Sequence, residues 1–176
     1  MSKLFFSIII ICFISCSEET LPKPKAFLNL EYIKPTYQEF LLQRPYTFEF
    51  SDRVKLKDSP NNWLKLEYPK LNASIDITYR KIDENLRELL VESEKLVFKH
   101  TSRAEQISSN NYVNEREKIY GTLYDITGNA ASHIQFHITD STNHFIKGAL
   151  YFKIKPNYDS ILPAVNYIKN DILHLM

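Results

Sequence analysis

Two histidines separated by three residues are the side chains best suited to metal chemistry in this sequence. His133 and His137 stand four positions apart, and on a helix that spacing would direct both imidazoles at one zinc ion. The residues between them alternate instead, with Ile134 and Phe136 apolar and Gln135 polar, which is typical of a strand. In a strand the two histidines share a face but lie about 13 Å apart, too far for one ion. The pattern predicts no metal site and assigns both histidines to a solvated polar face.

Acidic residues and a serine suggest a second chemistry, hydrolysis. Glu115, Glu117 and Asp125 could supply paired carboxylates, and Asp140 with Ser141 and a nearby histidine could imitate part of a hydrolase. Neither group is accompanied by a G-x-S-x-G turn or an oxyanion-hole signature. Asp140 and Ser141 are explained more simply by a turn whose side chains bond to local backbone groups. The sequence predicts no catalytic residue and no enzyme activity.

The composition excludes several classes of partner. The 176 residues contain 22 Lys and Arg against 21 Asp and Glu, which provides no basic field for a nucleic-acid backbone. The 3 glycines are too few and too widely spaced for a glycine-rich loop around a nucleotide phosphate. With 13% aromatic and 24% charged residues, the chain can form one folded domain. We expect no cofactor, no nucleic acid and no small-molecule substrate.

The run from Gly128 to Ser132 is the least ordinary local sequence, because five small residues lie between two predicted strands. One interpretation is a tight loop in which Gly128 or Asn129 has a positive φ angle. The other is a close approach of the backbone by a partner or ligand. On the second interpretation the candidate binding residues are Gly128, Asn129, Ser132 and His133.

The N-terminus carries chemistry of another kind, at Cys16. Lys3 precedes an apolar run over residues 4–15, which is typical of a signal peptide and too short for a bilayer core. Phe13-Ile14-Ser15-Cys16 resembles a bacterial lipobox, in which the cysteine is acylated and becomes the new N-terminus. Several acyl chains on one cysteine would form a stable membrane anchor. The alternative is an ordinary signal cleaved near Ser15, which would leave Cys16 as a free thiol.

These features divide the chain into three parts: residues 1–15 are the predicted lipoprotein signal peptide, residues 16–30 a lipidated N-terminus with a proline-rich tether, and residues 31–176 a single domain. Ser17-Glu18-Glu19-Thr20, with acidic residues just behind Cys16, resembles a surface-export signal of Bacteroidota lipoproteins. Leu21-Pro22-Lys23-Pro24-Lys25 predicts a short, extended tether.

Hydrophobic periodicity predicts six strands and two helices in that domain. The first helix, capped by Asp83, is expected to run about five turns, and the second begins at Asn157 or Asp159 with Pro163 in its first turn. Residues 101–115 are polar and predict a loop. The predicted strands cover residues 46–50, 63–69, 73–80, 118–127, 131–139 and 144–154.

The last two strands form a hairpin whose register follows from the core face. Phe136 and Gly148 both belong to the face that carries the apolar residues, and directly opposed residues must share a face. Paired residue numbers must therefore sum to an even value, which excludes a four-residue loop and favours a connection of three or five residues.

The order of three strands, helix, three strands, helix predicts an α+β fold with an antiparallel sheet of about six strands. This order resembles the Mog1/PsbP-like α/β/α sandwich.

Dispersed motifs resemble those of the GldD family of gliding motility lipoproteins of Bacteroidota. They are the lipobox at Cys16, the tether at 21–25, Trp63 with Glu67-Tyr68-Pro69, and the segments 128–132, 139–142, 148–152 and 156–160. The resemblance implies an outer-membrane lipoprotein, carrying palmitate or a similar acyl chain on Cys16, that is needed for gliding and for type IX protein secretion. It implies a non-enzymatic accessory that docks on other lipoproteins or on translocon components, on either the periplasmic or the surface side.

Two rival functions remain open from the sequence. One is a ligand-binding or hydrolytic envelope domain that uses the Gly128–Ser132 loop and the strand face of His133 and His137. The other is a purely structural spacer in the envelope.

Overall fold

A computed structural model describes residues 32–99, 101–154 and 157–176. The predicted signal peptide, the lipidated tether and His100 lie outside the described residues. The described strands are β1 (Tyr37–Glu39), β2 (Glu49–Ser51), β3 (Lys55–Asp58), β4 (Leu64–Tyr68), β5 (Ala73–Lys81), β6 (Ala104–Asn114), β7 (Ile119–Gly128), β8 (Ser132–Thr139) and β9 (His144–Phe152). The helices are α1 (Leu86–Phe98) and α2 (Tyr158–Leu175), and a 3-10 turn, Pro69–Leu71, joins β4 to β5.

Seven of these strands form one antiparallel sheet in the order β3-β4-β5-β9-β8-β7-β6. The last strand of the chain, β9, lies between β5 and β8 and so joins the two halves of the sheet. β1 and β2 form a separate two-stranded sheet. The predicted α+β class is confirmed, and the main sheet has one strand more than the six expected.

The two helices cover opposite faces of the main sheet. Ile75, Phe136 and Leu150 lie on one face and share a core with Ile168 of α2. Phe145 lies next to Ile146 on β9 and therefore points to the other face, where it packs with Leu89 of α1. The layers are thus helix, sheet, helix, the α/β/α arrangement that the order of elements suggested.

The β8–β9 register is the one predicted from the core face. Phe136 pairs with Gly148, and Thr139 pairs with Phe145, so five residues separate the last pair. A Cβ atom built on Gly148 would overlap the Phe136 ring. Glycine at this position therefore lets a large aromatic ring lie flat across the neighbouring strand.

The prediction of a loop over residues 101–115 was wrong, because β6 pairs with β7 along most of this segment. β6 forms an edge of the sheet, and most of its side chains are exposed on both faces. Alternation of apolar and polar residues arises only where one face is buried, so this strand lacks the pattern from which strands are recognised.

Several boundaries also differ from the predictions. The strand expected at 46–50 covers only Glu49–Ser51, while β1 and β3 were missed. α1 has 13 residues, fewer than four turns, and its N-cap is Asn85 instead of Asp83. α2 begins at Tyr158, so Pro163 lies in the second turn instead of the first.

Candidate functional site

The Gly128–Ser132 segment is a tight connection between β7 and β8. Gly128 has a φ angle of +87°, and a Cβ atom there would lie 2.8 Å from the backbone nitrogen of Glu105. The segment therefore passes so close to the start of β6 that a side chain would strain it. This supports the tight-loop interpretation of the sequence.

The polar residues of this connection bond to neighbouring parts of the fold. Asn129 Oδ1 accepts a hydrogen bond of 3.2 Å from the backbone N–H of Tyr158, the first residue of α2. Ser132 Oγ donates to the Ile134 carbonyl at 3.1 Å, and His133 Nε2 donates to the Gly128 carbonyl at 3.2 Å. These bonds fix the loop against α2, and a binding role for Gly128, Asn129, Ser132 and His133 stays a prediction.

His133 and His137 both lie on β8, but a register irregularity between Ser132 and Ile134 interrupts the alternation on which their shared face rested, and the expectation of a solvated face was wrong. Only 3% of His133 and 5% of His137 is exposed. The His133 ring stacks on Tyr158 with centroids 5.4 Å apart, and the His137 ring stacks on Phe145 at 5.6 Å. Within residues 32–99, 101–154 and 157–176, no three His, Cys, Asp or Glu side chains are grouped so that they could hold a metal ion.

His137 is buried without a full set of hydrogen bonds. Its Nδ1 atom has no hydrogen-bond partner among the described residues. Burial lowers the pKa of His137 below its ordinary value, because the protonated ring would lose its hydration. The imidazole is therefore uncharged and packs between β8 and α1.

A buried carboxylate, Asp171, is the polar feature that sequence reasoning missed. It is 4% exposed, and it accepts hydrogen bonds of 2.9 Å from the hydroxyls of Tyr37 and Tyr68. Burial raises the pKa of Asp171 against the opposing effect of hydrogen bonds from Tyr68, Tyr37 and Ser51. Burial and the contact with Asp171 raise the pKa of Tyr37 to about 12. A signal was present, since Asp171 falls within the apolar stripe of α2.

Tyr68 also lines a surface groove of about 680 Å³, which we call the tyrosine groove. The rings of Tyr32 and Tyr167, which both line it, pack at a tilt of 33° with centroids 4.7 Å apart, and the Tyr167 hydroxyl donates to the Ile33 carbonyl at 3.2 Å. The remaining lining residues are Asp52, Arg53, Val54, Lys55, Pro69, Lys70 and Leu71.

The charges of the tyrosine groove are mostly positive. Arg53 and Asp52 pair with each other at 3.2 Å. Lys55 and Lys70 are exposed and form no ion pair within the part of the chain that the structure describes. The groove therefore presents aromatic rings beside two free ammonium groups.

A comparison with protein families shows which family the chain belongs to. The model of the family described as gliding motility lipoprotein GldD matches residues 17–176. The chain belongs to the GldD family. A search of curated proteins found no match. The match begins directly after Cys16, so it covers all but the first residue of the segment that the lipobox assigns to the mature protein.

Membership in the GldD family makes the chain a lipoprotein related to gliding motility. Lipoproteins of this kind are membrane-anchored envelope proteins that act with other envelope or motility components. Neither described helix has the length and apolar character needed to cross a bilayer.

A second, smaller cavity of about 290 Å³ lies beside the β8–β9 turn of this GldD-family chain. Asp140 lines it together with His144, and its Oδ1 accepts backbone N–H groups of Thr142, Asn143 and His144 at 2.8–3.0 Å. Burial would raise the pKa of Asp140, but these hydrogen bonds outweigh it and hold the pKa below its usual value. The carboxylate thus stabilises the turn by accepting its backbone N–H groups, as the sequence indicated.

Proposed function

We propose that this protein is a non-enzymatic accessory of the outer membrane that docks on other envelope components and so supports gliding and type IX protein secretion. Its lipid anchor would be Cys16. The tyrosine groove is the observation that carries the proposal. The groove gives a chain of the GldD family a surface suited to binding another protein.

The side chains of the groove favour a protein partner. Tyrosines are enriched at interfaces, because a ring buries apolar area while its hydroxyl keeps a polar partner. Lys55 and Lys70 add two charges that no described acidic residue neutralises. Complementary charge speeds and orients docking more than it adds affinity. The expected partner therefore presents an acidic surface with apolar residues at its centre.

The position of the groove also suits an anchored protein. Tyr32, which lines the groove, stands sixteen residues after Cys16. A fully extended chain of that length spans about 55 Å. The groove can therefore reach only partners at or near the same membrane surface, which include the other lipoproteins and the translocon.

A charge-reversal variant tests the docking. The double substitution Lys55→Glu and Lys70→Glu is expected to reduce both colony spreading and export of secreted cargo, since it would repel an acidic partner. The fold should persist because both side chains are exposed. Lys95→Glu with Lys99→Glu is the matched control, because these exposed lysines lie on α1 and directly after it, at the opposite face of the sheet.

Crosslinking in living cells gives the second readout for the same variants. Crosslinks from the groove to other envelope proteins should be lost in the Lys55/Lys70 variant and retained in the control. Normal spreading and secretion in a Lys55/Lys70 variant that is present at the usual level would contradict the proposal.

A further inference from the structure

β6 is an edge of the main sheet with a long stretch of backbone available for pairing. It spans 11 residues and pairs with β7 on one side. No described strand pairs with its other side. The outward N–H and C=O groups of such a strand can hydrogen-bond another strand.

The two edges of the sheet differ in how they are protected. Natural edges are commonly short, or carry lysine or proline, which discourages pairing with other chains. β3, at the opposite edge, has 4 residues, among them Lys55 and Lys57. From Gln106 to Asn114, β6 has no charged residue and no proline. This contrast indicates that β6, unlike β3, is open to pairing with another strand.

The side chains of β6 are also largely uncovered. Ser108, Ser109, Asn110 and Asn111 are all exposed, and Val113 is 58% exposed. Ala104 and Ile107 pack against the cluster that includes Val97 of α1, and Tyr112 packs against the core that includes α2, but residues 108–111 between them are exposed. A second strand could therefore approach the edge of β6 without displacing any described part of the molecule.

We propose that the partner of β6 is β6 of a second copy of this chain, paired antiparallel around a two-fold axis at Asn110. Such an axis stands perpendicular to the sheet, so like faces of the two copies become continuous. Paired residues must then share a face, and their numbers must sum to an even value.

The side chains select one of the even registers. Centring the axis on Asn110 places Ile107 of one copy opposite Val113 of the second, and Val113 opposite Ile107. Both apolar residues of that face thereby find an apolar neighbour, which is the usual determinant of strand register. Ser109 then faces Asn111, and the two Asn110 amides face each other. The same register brings Glu105 opposite Glu115, the first residue after the strand, so like charges meet only at the two ends of the pair.

Membrane attachment favours this pairing over a foreign strand. A lipid on Cys16 would confine all copies to one surface, which raises their effective concentration without any new contact. A single pair of strands buries little area for a stable dimer in solution. On a membrane, the same weak pairing would be populated.

Cysteine crosslinking of the full-length chain in its own cells tests the proposal. Asn110→Cys is the diagnostic variant, because opposed Cα atoms in antiparallel strands lie about 4.5–5.5 Å apart, within the range that a disulfide bridges. The native cysteines are only Cys12 and Cys16, and the unsubstituted chain gives the background. Mild oxidation should convert most of the Asn110→Cys chain to a reducible species of twice the mass.

A second pair of variants tests the register and keeps Asn110 in place, so its result does not depend on replacing that residue. Ser109→Cys and Asn111→Cys, co-expressed with different tags, should crosslink to each other far more than either does to itself. Lys57→Cys, on the opposite edge, is the matched control and should stay monomeric. Asn110→Lys should remove the Ser109–Asn111 crosslink, since it places two ammonium groups face to face.

Three outcomes would overturn the proposal. They are a monomeric Asn110→Cys chain together with no Ser109–Asn111 crosslink, dimers formed equally by Lys57→Cys, and disulfides from Asn110→Cys to a different protein. The last would identify a foreign strand at β6.

Discussion

His137 shows how a polar residue becomes a source of acid sensitivity when a strand face is buried. Its pKa lies below the ordinary value of 6.5 because the folded protein shields it from water. Lys147 lies directly opposite on β9, and Glu92 of α1 pairs with that lysine at 3.5 Å. The unfolded chain therefore binds a proton on this ring more readily than the folded chain does.

The sign of the resulting pH dependence follows from linkage. Above about pH 6.5 the ring is neutral in both states, and His137 causes no loss of stability. As the pH falls below 6.5, protonation favours the unfolded chain, by at most about 1.4 kcal/mol for each pH unit. His137→Phe, which can keep the stack on Phe145, should reduce the difference in unfolding free energy between pH 7 and pH 5.

Urea unfolding of the purified chain at the two pH values measures that difference. His137→Gln is the companion variant, since an amide cannot titrate either but does not replace the ring stack. Both variants should show the flatter pH dependence, and only His137→Gln should lose additional stability at pH 7. An unchanged difference in both would show that His137 does not titrate in this range.

Sequence reasoning placed single residues well where the contact is local and failed where it is distant. The strand that holds His133 and His137 follows from the alternation of apolar and polar residues alone. Their burial required knowing that Tyr158 of α2 stacks on His133 and that Phe145, which packs with α1, stacks on His137. The partner of Asp171, Tyr37, lies 134 residues away in the chain. No short-range pattern can indicate such a contact.

The same distinction governs whole strands and helices. β9 and α2 were predicted because each buries chiefly one face, and burial imposes a period of two or about 3.6 on the apolar residues. β8 is buried on both faces, but its apolar residues still alternate with polar ones. β1 and β3 are too short to display a period. β6 displays none because it buries neither face, and β7 supplies its hydrogen bonds.

Gly148 couples two central strands through the Phe136 ring. A methyl group at residue 148 would overlap that ring, which is itself fully buried and cannot move freely. Gly148→Ala should destabilise the protein by about 1–3 kcal/mol, the usual effect of overfilling a packed core. The measurement is the free energy of unfolding in urea.

A compensating substitution separates this overlap from other effects of the change. Phe136→Leu removes the ring, so Gly148→Ala should destabilise a Phe136→Leu background less than it destabilises the native chain. Phe136→Leu alone provides the reference. Strictly additive losses would show that the ring and the glycine do not interact.

The molecule as a whole combines one α/β/α body with two surfaces at opposite edges of its main sheet. The tyrosine groove includes Lys55 of β3, at one edge, and β6 forms the other edge. If both proposals hold, one surface would bind a partner while the other paired with a second copy. The two activities would both depend on the anchor, since it holds the body at the membrane.

Removing the anchor is thus expected to affect the whole molecule without changing its fold. Cys16→Ala should abolish incorporation of radiolabelled fatty acid, because the acylated thiol is lost, and should remove the protein from the outer-membrane fraction. Cys12→Ala is the matched control, since Cys12 lies within the predicted signal peptide and would leave with it.

The membranes must be separated by density, because an uncleaved signal peptide could hold the Cys16→Ala chain in the inner membrane. If the anchor acts as proposed, colony spreading and cargo export should fall together in Cys16→Ala and remain normal in Cys12→Ala. A Cys16→Ala chain that still reaches the outer membrane, and a native chain that takes up no labelled lipid, would together exclude acylation of Cys16. Loss of spreading with intact export would instead confine the protein's role to gliding.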